Sequence, residues 1–68
     1  MKKELVVIEY TNHRRDRSKR TIHPREIIFT ATDWHPIGWV LKAWDVEKRA
    51  YRLFAMKDIH SWEEKPPP

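Results

Sequence analysis

The sequence predicts an all-β domain: a small, strongly bent antiparallel sheet of about five strands that curls into a barrel. Three observations predict it. Two alternating apolar and polar runs flank a short polar break at residues 45–48, which is the pattern of a β-hairpin. Three further short runs are rich in β-branched and aromatic residues. The chain has only 68 residues, so short links and a closed sheet are the efficient way to cover a core and the strand edges.

The hairpin of residues 39–55 is the centre of the predicted fold. Its break contains no Asn-Gly or Asp-Gly pair, so a loop of three or four residues is expected. A chain this short buries only about 60% of the surface that its unfolded form exposes. It cannot leave large apolar residues out of its core, so we expect Trp39 and Leu41 to be buried. Tyr10 and Phe54 lie on the opposite strand phase to other apolar residues, and either phase could be the core.

The remaining strands are predicted before the hairpin. Residues 5–11 form the first strand, residues 14–18 lack apolar side chains and form a mobile loop, and residues 19–23 form a short second strand. Pro24 then forces a break, because it has no amide hydrogen to give to a ladder. Residues 27–32 form the third strand.

Two loops and the chain end complete this picture. Residues 33–36 form a Pro-containing loop in which Trp34 either plugs an open barrel end or contacts a partner. After Ala55 the chain turns helically and Trp62 folds back onto the barrel. Residues 63–68 form a Pro-rich, disordered tail, because three prolines cannot join a ladder. The single domain therefore comprises residues 1–62.

Composition argues against several classes of function. The chain has no cysteine, and its four histidines show no metal-ligand spacing, so no metal site is expected. One glycine cannot build a phosphate loop, and neither a carboxylate pair nor a nucleophile motif is evident, so we expect no enzyme and no cofactor. No apolar run reaches the roughly 18 residues of a membrane span and no signal peptide opens the chain, so a cytoplasmic protein is expected.

The positive charge is concentrated in one segment. The chain has 14 Lys and Arg against 10 Asp and Glu; residues 14–20 hold five of the basic residues and one acid, which leaves nine of each elsewhere. Such a cluster can attract a phosphate backbone, and it can equally be a solvated loop. The candidate contact residues of this segment are Arg14, Arg15, Arg17, Lys19 and Arg20.

Cations on strands are the stronger candidates, because a strand fixes their position. Arg20 and Arg52 could hold a phosphate in a bidentate fork, or they could be surface arginines neutralised by Glu9 or Asp45. Lys42 could act beside Trp44 to grip a base and its phosphate, although a solvated strand face is the simpler reading.

The order of several features resembles a known family. The matching residues are Ile8 and Tyr10; then Arg20, Ile22 and Pro24; then Trp39, Val40 and Leu41; and finally Arg52, Phe54 and Ile59. Over about residues 6–60 this order resembles the WYL domain, a small SH3-like (Sm-like) β-barrel found mostly at the C-terminal side of bacterial transcription regulators. Trp-His-Pro at residues 34–36 resembles short standalone members.

Two departures from the family pattern stand out. Val40 occupies the position of the family's tyrosine, and Asp58 stands where the closing Asp-Arg-Ile step has its arginine. The resemblance implies a module that binds a nucleic acid or a nucleotide-type ligand in transcription regulation. The alternative is a protein-interaction adaptor of SH3-like type that captures an extended peptide, such as Pro66-Pro67-Pro68 of a neighbouring copy, and so self-associates as a homodimer.

Overall fold

The computed structural model describes residues 4–32 and 36–65, which form five strands and one turn of 3₁₀ helix. The strands are β1 (Leu5–Thr11), β2 (Arg17–Thr30), β3 (Gly38–Asp45), β4 (Ala50–Ala55) and β5 (Ile59–Lys65), and the 3₁₀ turn is Met56–Asp58. The predicted loop at residues 33–36 lies mostly outside the described part of the chain, and this includes Trp34.

The strands form one antiparallel sheet in the order β4-β3-β2-β1-β5. The first four strands follow one another as a meander, and the 3₁₀ turn then carries the chain across to place β5 beside β1. The all-β prediction is confirmed. The hydrogen-bonded pairs leave β4 and β5 at the two edges, so closure into a barrel stays a prediction.

The second strand differs from the prediction. Residues 17–30 form one long strand where two short ones were expected, because Pro24 lies at a β-bulge and does not end the strand. At this bulge the register with β3 shifts between Pro24 and Glu26, so Arg25 has no partner residue in the ladder. A bulge is one of the few places in a sheet where the missing amide hydrogen of proline is tolerated.

The bulge also changes the phase of β2. Cross-strand partners share a face of the sheet. Because Pro24 is opposite Ala43 and Ile27 is opposite Leu41, Ile27 and Phe29 lie on the same face as Ile22. A regular strand would have placed Ile28 on that face instead.

The core is formed by one face of the sheet. Its buried members are Val6, Ile8, Tyr10, Ile22, Leu41, Ala43 and Phe54. The open question of phase at Tyr10 and Phe54 is thereby answered: both are buried, and their rings pack edge to face with centroids 4.9 Å apart. The prediction for Leu41 is confirmed. The prediction for Trp39 is wrong, because β3 extends beyond the core at its first residues and leaves Trp39 58% exposed.

Two turns are fixed by side-chain oxygens. Between β3 and β4 the chain makes the expected four-residue loop, in which Asp45 Oδ1 accepts hydrogen bonds from the backbone N–H of Glu47 and Lys48, each at 3.1 Å. Between β1 and β2, Asn12 Oδ1 accepts hydrogen bonds from the N–H of Arg14 at 2.9 Å and Asp16 at 3.0 Å. The segment expected to be a mobile loop is therefore a hydrogen-bonded turn, and its last two residues belong to β2.

The C-terminal part contains a strand that the sequence did not predict. The helical turn after Ala55 is present, and β5 follows it, with Trp62 opposite Ile8 on the core side. The predicted domain boundary at residue 62 lies inside β5, because Glu63, Glu64 and Lys65 pair with the start of β1. Residues 66–68 lie outside the described part of the chain.

Candidate anion-binding cleft

A cleft of about 140 Å³ opens at the end of the core beside the β1–β2 turn. Residues from β1, β2, β4 and this turn line it: Tyr10, Asn12, His13, Arg20, Arg52, Leu53 and Phe54. The two arginines that the sequence singled out on strands therefore meet at one site. We refer to it as the arginine cleft.

The strand register explains why these two arginines converge. Arg20 is opposite Ile8 on β1, and Arg52 is opposite Ala43 on β3, so each lies on the core face of its strand. Both positions are near the edge of the core, where a long side chain can leave the apolar interior and present its guanidinium to solvent. A two-residue period thus brings together two cations that are far apart in the sequence.

Arg20 is held in place by neighbouring oxygens. Its Nε donates a hydrogen bond to Ser18 Oγ at 3.2 Å, and its Nη1 lies 3.4 Å from Asp45 Oδ2. The Asp45 side chain has no exposed surface and that of Arg20 is 20% exposed. Asp45 therefore orients Arg20 and offsets part of its charge, as one of the sequence alternatives proposed.

Arg52 is in a different state. It is exposed, and within residues 4–32 and 36–65 its side chain forms no hydrogen bond or ion pair. A free guanidinium keeps five N–H donors in a fixed fork that matches an oxyanion. The cleft therefore combines an oriented arginine with an uncommitted one.

Tyr10 and Phe54 form the apolar wall behind these cations. Burial raises the pKa of the Tyr10 phenol above its usual value of 10.0, and the nearby Ala55 backbone and Arg20 oppose this shift. The phenol is therefore neutral at physiological pH. A neutral wall of low polarity strengthens the attraction between the arginines and an anion.

Lys42 and Trp44 lie on the opposite face of the sheet from the arginine cleft. They share that face with Tyr51: the Lys42 Nζ lies 5.2 Å from the centre of the Tyr51 ring, and the Trp44 and Tyr51 ring centroids are 5.0 Å apart. Arg25 also lies over Tyr51, at 5.7 Å. The expected pairing of Lys42 with an aromatic group is present, but the aromatic partner is Tyr51. This Lys42–Tyr51 pair is separate from the cleft that contains Arg20 and Arg52.

The basic segment is divided between the turn and β2. Arg14 and Arg15 lie in the exposed β1–β2 turn, where Arg15 has a positive φ of 66°. Arg17 forms an ion pair with Glu9. Lys19 is opposite Glu9 in the register, so Glu9 on β1 offsets part of this positive charge.

Sequence reasoning missed Asn12 and His13 as lining residues. The place of Asn12 at the cleft follows from the β1–β2 register, which a single sequence does not reveal. Among the described residues no cluster of His, Cys, Asp or Glu is arranged to hold a metal ion. None of the described helical segments is long and apolar enough to cross a membrane.

Comparison with known proteins gives one match. The family model of the WYL domain matches residues 1–64, which is nearly the whole chain. Neither the curated proteins nor the solved structures include a significant match to this chain.

Proposed function

The chain belongs to the WYL domain family, and from this premise we propose that it is a small non-enzymatic binding module that holds the phosphate of a nucleic acid or nucleotide in the arginine cleft. WYL domains are in general regulatory ligand-binding domains. A role in transcription regulation, and with it a cytoplasmic location, is part of the same proposal.

One observation carries this proposal: Arg20 and Arg52 converge on one cleft. Guanidinium groups bind phosphate through paired, charge-assisted hydrogen bonds, which are roughly twice as strong as neutral ones. Arg20 is already oriented by Asp45 and Ser18, so little side-chain entropy is lost when an anion binds to it. Arg52 supplies a charge that pairs with no acidic side chain in the described part of the chain.

The size of the cleft limits what it can enclose. Pockets that enclose a drug-sized ligand measure about 300–1,000 Å³, and this cleft is about 140 Å³. It can therefore hold a phosphate group, while the sugar and base of the ligand lie outside on the neighbouring surface. Phe54 and Tyr10 provide apolar surface at its wall.

A binding experiment with matched variants tests the proposal. Fluorescence anisotropy of a labelled, mixed-sequence single-stranded oligonucleotide would be measured for the wild type, Arg52→Gln and Arg14→Gln, with unlabelled nucleoside monophosphates and inorganic phosphate as competitors. Both substitutions remove one positive charge, but only Arg52 lies at the cleft. We expect Arg52→Gln to weaken binding about 10-fold or more, from the loss of charged hydrogen bonds, and Arg14→Gln to weaken it about 2-fold.

The salt dependence gives a second readout. Each lost phosphate contact should reduce the slope of log affinity against log salt by about 1, so Arg52→Gln should flatten it. Competition by mononucleotides would identify a nucleotide-type ligand, and competition by longer strands alone would identify a nucleic acid. Equal losses for the two variants, or no binding at low salt, would refute the arginine cleft as the site.

A further inference from the structure

Four large apolar side chains lie exposed together at the end of the sheet away from the β1–β2 turn. They are Ile27 (55% exposed), Phe29 (56%), Ile37 (67%) and Trp39 (58%). Phe29 is the cross-strand partner of Trp39, and their rings are in edge-to-face contact with centroids 5.1 Å apart. We call these four residues the apolar patch.

We propose that the apolar patch is the contact surface between two copies of this chain, related by a two-fold axis. This interaction is separate from the ligand binding proposed above, because it uses none of the residues of the arginine cleft.

The position of the patch follows from the bulge in β2. By changing the phase of the strand, the bulge places Ile27 and Phe29 on the core face, with Ile27 level with Leu41, the first core residue of β3, and Phe29 beyond it. The core face therefore continues past the core itself as an exposed apolar surface. A charged or polar residue at any of these positions would have left less apolar area exposed, but all four positions of the patch hold large apolar residues.

The area of the patch is large for a chain of this size. From the exposed fractions, the four side chains present on the order of 500 Å² to solvent, near the upper end of the largest patches on typical monomers. The total accessible surface is 5319 Å², so the patch is about a tenth of it. A standard protein interface also covers about a tenth of a small protein's surface, or about 800 Å² on each partner, so the patch with a modest rim is large enough.

The shape of the neighbouring groove favours a protein side chain as its occupant. A groove of about 210 Å³ adjoins the patch and is lined by Ile37, Trp39, Val40, Ala55 and Met56, among others. It is smaller than the pockets that enclose drug-sized ligands. An aromatic side chain from a second copy would extend the contact that Phe29 and Trp39 already make.

The distribution of charge favours a second copy in particular. The apolar patch contains no charged residue, and the whole excess of +4 lies in residues 14–20, at the start of β2, whereas the patch lies at its end. Two copies that meet at their patches keep these basic segments on the outer sides of the pair. At physiological salt, where the Debye length is about 8 Å, their repulsion is then largely screened.

Sedimentation equilibrium of the intact chain tests this proposal, with concentrations from about 10 to about 500 µM to cover the micromolar range of weak interfaces. We expect the wild type to pass from monomer to dimer within this range. Ile37→Glu and Trp39→Thr should each weaken the dimer at least about 30-fold, the scale of an interface hot spot. Ile37 lies outside the strands, and threonine is well accepted in a strand, so both variants are expected to fold.

Tyr51→Thr is the matched control. Tyr51 is 51% exposed, like Trp39, but it lies on the opposite face of the sheet, so its removal should leave the dimer unchanged. Circular dichroism of each variant checks that the sheet is retained. The proposal is overturned if the wild type stays monomeric at the highest concentration, even if it captures other proteins. It is also overturned if the dimer forms but neither Ile37→Glu nor Trp39→Thr weakens it. Arg52→Gln should bind ligand less well and still dimerise, which separates this test from that of the cleft.

Discussion

Asp45 is the residue whose replacement should be most informative about stability. Its carboxylate is fully buried and makes three contacts: two hydrogen bonds from the backbone of the β3–β4 turn and one contact with Arg20. We expect Asp45→Ala to destabilise the fold strongly and Asp45→Asn to destabilise it less. The amide of asparagine keeps an oxygen for the turn but loses the charge that faces Arg20.

The expected magnitudes follow from these contacts. Loss of a side-chain cap that holds backbone N–H groups costs about 0.5–2 kcal/mol. The Arg20 contact is long, at 3.4 Å, and Arg20 is partly exposed, so losing it should cost about 1 kcal/mol and not the 3–5 kcal/mol of a fully buried pair. We therefore expect about 2–3 kcal/mol for Asp45→Ala and about 1 kcal/mol for Asp45→Asn. At about 0.05–0.15 kcal/mol per residue, the free energy of unfolding of the whole domain is only about 3–10 kcal/mol.

Urea denaturation followed by tryptophan fluorescence measures these differences. With a slope of about 1 kcal/mol/M for so small a protein, Asp45→Ala should lower the midpoint by about 2–3 M and Asp45→Asn by about 1 M. If the two variants lose equal stability, the ion pair outweighs the turn and our assignment is wrong. A loss below about 0.5 kcal/mol for Asp45→Ala, as at an ordinary surface position, would refute the structural role of the buried carboxylate.

Two further predictions concern Tyr10 and Arg49. Because burial raises the pKa of Tyr10 in the folded state, its contribution to stability is fully present below pH 10.0 and is lost as pH rises through the higher folded pKa. Urea midpoints measured from pH 8 to pH 11 should therefore fall more steeply for the wild type than for Tyr10→Phe. Parallel curves for the two proteins would contradict this prediction. Arg49 has a φ of 53° in the β3–β4 turn, so Arg49→Gly should raise the free energy of unfolding by a few tenths to about 1 kcal/mol. Arg49→Ala keeps the strained φ and is the control; a gain of equal size there would point to charge and not to backbone strain.

Much of the fold could be predicted from local patterns. The boundaries of β1 and the four-residue break between β3 and β4 follow from alternation and turn composition, which act over a few residues. Pro24 was misread because its effect depends on tertiary context: alone it ends a strand, but at a bulge it is accommodated. The strand β5 was missed because Glu63, Glu64 and Lys65 carry no apolar signal; they pair through their backbone with β1, and backbone pairing has no sequence pattern of its own.

For the candidate site, too, local patterns predicted some features, and tertiary structure decided the others. Arg20 and Arg52 were selected because strands fix side chains, and their shared face could follow only from the register of β1 through β4. Trp39 was placed in the core because a small domain should bury its largest residues. That argument fails when a strand extends past the core, and no single-sequence pattern marks where a core ends.

The bulge at Pro24 has a consequence for insertions and deletions in this chain. Removal of Arg25 alone would leave Pro24 opposite Ala43, Glu26 opposite Lys42 and Ile27 opposite Leu41 in a ladder without a bulge, so Ile27 and Phe29 would keep their present face of the sheet. The exposed turn at residues 12–16 can also accept a change in length. The bulge thus lets this strand carry one extra residue between Ile22 and Ile27 without turning a carboxylate toward the core.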